Sequence, residues 1–81
     1  MLDNKTETLI AVAEQKNFTR AAEALSLTQP AVSHQISRLE QSLGAKLFNR
    51  KKGELTLTQE GEIAVRYARI LTSMDQKMHM E

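Results

Sequence analysis

Apolar positions along the chain fall into short runs with helical spacing, separated by polar and turn-forming residues. The clearest run is Val32, Ile36, Leu39 and Leu43, at intervals of four, three and four, which predicts a helix that buries this stripe. Gln29, Pro30, Ser33, His34, Ser37 and Arg38 fall away from the stripe. Just upstream, Ala21, Ala22 and Leu25 mark a shorter helix whose small side chains let a second helix cross closely, as a helix-turn-helix requires. Ser26, Leu27 and Thr28 join the two. Thr28 suits an N-cap, Pro30 stands where a helix has no amide to lose, and Gly44 supplies the stop. A first helix is expected from about Asp3 to Gln15 with Leu9, Ile10, Val12 and Ala13 buried, and Asn17 can cap the second.

Beyond Gly44 the pattern changes. Leu47-Phe48 and the alternating Leu55-Thr56-Leu57 flank the turn-like Lys51-Lys52-Gly53-Glu54, which predicts a two-stranded hairpin held down by Leu47, Phe48, Leu55 and Leu57. The last segment predicts one long helix. Thr58 can cap it, Glu60 and Glu62 suit its first turn, and no proline follows. Run to Met78, it would extend about 30 Å at 1.5 Å per residue, too far for one small body to cover. Ile63, Tyr67, Ile70, Leu71, Met74 and Met78 make a stripe along it. Ile63 and Tyr67 are expected to reach the domain's own core, whereas Met74 and Met78 are expected to form an exposed seam.

The helix opening at Gln29 has a second use. Its unpaired amides and positive dipole end attract phosphate, while Gln29 and Ser33 can reach base edges and Pro30 and Ala31 can pack on a thymine methyl. The plain alternative is a helical hairpin with a solvated face. Net charge is only +1, so its distribution matters more than its sum. Lys46, Arg50, Lys51 and Lys52 are four of the eleven basic residues in one short segment, which holds no acidic side chain until Glu54. Alone, such a run reads as a solvated loop; beside a reading helix it reads as a phosphate clamp.

These motifs, in this order, resemble one family. From Leu9-Ile10-Ala11-Val12-Ala13-Glu14 to about Leu71 the chain is similar to the amino-terminal domain of the LysR-type transcriptional regulators. The most specific matches are Ala21-Ala22, Gln29-Pro30-Ala31-Val32-Ser33, Leu39-Glu40, Leu43-Gly44, Leu47-Phe48 with Arg50, and Leu57-Thr58 with Gly61. The resemblance implies a mostly α fold: a winged helix-turn-helix of three helices and a short two-stranded wing over residues 1–58, then a linker and dimerisation helix over 59–81. It implies sequence-specific binding of double-stranded DNA through Arg20, Thr28, Gln29, Pro30, Ala31, Ser33, His34, Ser37, Arg38, Arg50, Lys51 and Lys52. It also implies a homodimer through Ile63, Tyr67, Ile70, Leu71, Met74 and Met78, on a roughly palindromic site with half-sites one helical turn or a multiple apart. Two positions depart from the family. Gly53 stands where many members carry an arginine, so Lys51 or Lys52 would have to approach the minor groove, and Thr6 replaces a larger apolar residue, so the first helix should start loosely packed.

Eighty-one residues make one small domain, for which a partner subunit would help stability. In this family a larger effector-binding domain follows, so the chain reads as a DNA-binding fragment without a cofactor, whose full-length form would answer to a small-molecule effector. With no cysteine, no disulfide framework or thiolate metal site is available. No long apolar run or signal-peptide pattern appears, so a cytoplasmic location and no membrane contact are expected. Catalysis is poorly served: His34 and His79 lack metal-ligand spacing, Ser33-His34 is merely an adjacent pair, and no glycine-rich phosphate loop exists. His34 reads as a groove or phosphate contact, or as a solvated histidine. Phe18 reads as core, because it stands beside the cap and the chain has few aromatics for stacking bases. The competing function is a helical protein-interaction module that works through its last helix.

Overall fold

The computed structural model describes the backbone of residues 4–80 and the side chains of residues 5–74. Its elements run α1 (Asn4–Gln15), α2 (Phe18–Leu25), α3 (Gln29–Leu43), β1 (Phe48–Lys51), β2 (Glu54–Leu57) and α4 (Gln59–Met80). This is a winged helix-turn-helix followed by a long helix. Asp3, the expected start of α1, lies outside the described residues, as do the side chains of Met78 and His79.

Local chemistry sets the boundaries. Asn17 Oδ1 accepts the Arg20 amide at 2.8 Å to open α2, and Thr28 Oγ1 accepts the Ala31 amide at 3.2 Å to open α3. Pro30 falls in the first turn of α3. Gly44 closes that helix in the left-handed region, at φ +67°. Between α2 and α3, Ser26 takes φ +58°, and the Leu27 amide returns to the Ala22 carbonyl at 2.9 Å. A three-residue turn thus joins the two helices.

The core lies between α1, α2, α3 and the inner face of α4. Leu9, Val12, Ala21, Ala22, Val32, Ile36, Leu47, Phe48, Val65 and Ala68 are buried together, so the paired alanines do sit at the close crossing. Thr8 is also buried, its hydroxyl donating to Gln35 Oε1 across the α1–α3 contact. The outer part of the expected stripe departs from the pattern. Leu39 is half-buried and Leu43 is 55% exposed, because both face an open groove that they line with Ile63 and Tyr67 of α4. Ile10 and Ala13 are half-buried rather than buried, and Thr6 is half-buried.

The wing pairs antiparallel, with Phe48 opposite Leu57 and Lys51 opposite Glu54, around a turn in which Gly53 adopts φ +80°. α4 begins against the foot of this hairpin. The Thr58 amide donates to the Leu47 carbonyl at 2.9 Å, the Thr58 hydroxyl donates to the Lys46 carbonyl at 2.6 Å, and the Gly61 amide donates to Thr58 Oγ1 at 2.9 Å. α4 buries Gly61, Val65 and Ala68, while Ile63 and Tyr67 are 44% and 63% exposed. The expectation that these two reach the core is therefore corrected. Gly61 lets the helix approach so closely that its small face, not the large apolar one, meets the body.

A β-carbon on Gly61 would stand 2.0 Å from the Leu47 carbonyl oxygen. Glycine to alanine inside a helix ordinarily stabilises by up to about 1 kcal/mol. Here Gly61→Ala is expected to reverse that sign and cost about 2 kcal/mol, because backbone must move to admit the methyl. Urea unfolding of the two chains measures the difference.

Candidate nucleic-acid interface

Two adjacent rows run up the uncovered side of α3. Gln29, Ser33 and Ser37 form the row nearer the wing, and Pro30, His34 and Arg38 form the outer one, each at intervals of four that align them on a helix. Pro30, His34 and Arg38 are exposed, whereas Ser33 and Ser37 are half-buried. Gln29 is exposed at the helix opening, and its Nε2 donates to Ser33 Oγ at 2.8 Å. Ala31 is half-buried, and Thr28 is engaged in capping.

The wing faces this row across a cleft. Gln29, Ser33, Arg50 and Lys51 line it together, joined by Lys16 and Thr19 at the α1–α2 corner. A second cleft on the same side is lined by Ser37, Lys46, Asn49 and Arg50. The polar side chains expected to read bases and cations distant in sequence therefore share one surface. Arg20, Lys52, His34 and Arg38 are exposed but do not line the first cleft. Lys16 and Thr19 were missed from sequence. Lys16 ends α1 at φ +53°, a backbone conformation unusual for a side-chain-bearing residue and not announced by any local motif.

Phe18 has a part beyond filling space. Its ring meets Phe48 edge-on, with centroids 6.2 Å apart, and the Arg50 guanidinium lies 4.7 Å above it. That stacking, worth about 0.5–1 kcal/mol at an exposed site, holds the Arg50 charge over the cleft rather than free in solvent. Neither ion pair among the described residues, Lys46–Glu40 or Glu14–Arg69, engages Arg50, Lys51 or Lys52. These cations remain available to an anionic partner.

Glu40 fixes the wing to α3. Its side chain is only 7% exposed, and Oε2 accepts the amides of Leu47 and Phe48 at 2.8 and 3.4 Å. Lys46 Nζ lies 4.0 Å from the other oxygen.

Known proteins share this arrangement. Residues 4–62 match the profile of the bacterial regulatory helix-turn-helix proteins, lysR family. The HTH-type transcriptional regulator CfxR of Cupriavidus necator is 51% identical over 59 residues, which are 73% of this chain and 19% of that protein. Two solved structures superpose on nearly the whole chain. The BenM DNA-binding domain in complex with benA site 1 DNA has a TM-score of 0.87 at 36% identity, covering 99% of this chain and 91% of that one. The CbnR DNA-binding domain–DNA complex has a TM-score of 0.90 at 30% identity, covering 98% and 91%. The chain belongs to the LysR family of transcriptional regulators and is its non-enzymatic helix-turn-helix DNA-binding domain. It spans about a fifth of the length of the curated relatives it matches. Among the described residues no helix is long and apolar enough to cross a membrane.

Truncating Glu40 would leave two buried amides without their acceptor. Glu40→Ala is expected to lower stability by about 2 kcal/mol and to speed hydrogen exchange at the Leu47 and Phe48 amides more than at the α1 core. Amide-resolved exchange checks both expectations.

Proposed function

We propose that the amino end of α3 enters the major groove of duplex DNA while the wing lies on the flanking backbone. The observation that carries this reading is the cleft where Gln29 and Ser33 stand opposite Arg50 and Lys51. Gln29, Pro30 and Ala31 would meet base edges, with Ser33 beside Gln29 on the same face, and Thr28, His34, Ser37 and Arg38 would flank them. Arg20 and Arg50 would take phosphates, and Lys51 or Lys52 would approach the minor groove in place of the arginine that Gly53 lacks. Support comes from the BenM and CbnR domains, which have this shape and were solved with DNA.

In this reading residues 1–58 are the reading domain and 59–81 the pairing helix of a cytoplasmic regulator. Ile63, Tyr67, Ile70, Leu71 and Met74 are exposed together along α4, with Leu43 beside them. An apolar edge of this kind suits a second copy. The two reading heads would then meet a roughly palindromic site. The relatives it matches are about five times as long, and a small-molecule effector would act on a regulator of that full length.

Binding should weaken steeply with salt, because neutralised phosphates release counterions. Lys52→Ala should weaken all duplexes alike and flatten the salt slope by about one unit, while Gln29→Ala should relax sequence choice by about 1–3 kcal/mol. Salt titrations on matched and mismatched duplexes test this, and equal, uniform losses from both variants would remove Gln29 from the reading face. Sedimentation should show two chains associating at high concentration, and Met74→Glu should return them to monomer. A wild-type chain that stays monomeric at all concentrations contradicts the pairing.

A further inference from the structure

The hydrogen bond from Gln29 Nε2 to Ser33 Oγ, at 2.8 Å, joins two side chains that would otherwise count as separate readers. We propose that Ser33 contacts no base of its own and instead fixes the Gln29 amide, so that the pair reads a single adenine. This rests on the DNA-reading face proposed above.

A glutamine amide carries two N–H donors and one carbonyl oxygen. Ser33 takes one donor, which leaves one N–H and Oε1 to face outward. Adenine presents N7 as acceptor and its N6 amino group as donor in the major groove, which matches that remaining pair. Guanine presents two acceptors, N7 and O6, and would set O6 against the glutamine oxygen. In the observed arrangement the serine holds the amide with one N–H and Oε1 left for the base.

Position supports the division of labour. Gln29 is exposed at the helix opening, whereas Ser33 is half-buried one turn further on, beside the wing cleft. The base of the pair is also rigid. Thr28 caps the helix and Pro30 restricts its first turn, so the Gln29 backbone is fixed before any duplex arrives. Tying the amide to Ser33 removes side-chain freedom that an unrestrained glutamine would lose on binding.

The test measures relative affinity of the chain for duplexes carrying each base pair at every half-site position of a selected operator. The wild-type chain should prefer adenine at one position by about tenfold to a hundredfold. Gln29→Ala should abolish that preference. Ser33→Ala should reduce it several-fold at the same position and nowhere else, Ser33→Thr should keep it, and the double variant should match Gln29→Ala alone. The inference is overturned, with the reading face intact, if Ser33→Ala relaxes a different base pair or if the two single losses add in the double variant. If Gln29→Ala leaves every preference unchanged, the reading face and the pair both fall.

Discussion

One buried carboxylate holds the working parts of this domain in register. Glu40 lies late in α3, where a negative charge opposes the helix dipole, and its oxygen takes the amides that begin the wing. A charge so placed is tolerated because the Leu47 and Phe48 amides satisfy it and Lys46 stands nearby. The consequence is spatial. β1 leaves the body at a fixed place relative to α3, and the cations of the wing face Gln29 and Ser33 across a cleft instead of sampling many positions.

The same loop also receives α4. Lys46 and Leu47 turn their amide and side-chain contacts toward Glu40, and their carbonyls toward Thr58. Reading helix, wing and long helix thus meet at two residues. Gly61 makes the meeting possible by letting α4 run against the Leu47 carbonyl, and that approach decides which face of α4 points outward. The apolar edge from Ile63 to Met74 is exposed for this reason.

Much of this was legible in the sequence because it depends on local chemistry. Asn17, Thr28, Gly44 and Thr58 each act within a few residues of themselves, and each occupies the helix end that its side chain or backbone freedom favours. The wing was legible for the same reason, from alternation around a glycine turn. Long-range packing was not. Leu43 keeps helical spacing but faces an open groove, and Ile63 and Tyr67 lose the inner face of α4 to smaller residues. Glu40 reads as a surface residue until its partners seven and eight positions on are known. The Arg50–Phe18 stack and the Gln29–Ser33 bond define the site's electrostatics and polarity, yet only the second has a spacing that sequence could have flagged.

DNA should meet the opening of α3 and the wing together. Amide chemical-shift mapping of the isotopically labelled chain during titration with its selected duplex tests it directly. The largest changes should fall on residues 28–34 and 50–53 in concert, with the outward edge of α4 little altered. Changes confined to residues 63–74, with the α3 opening and wing unmoved, would contradict it.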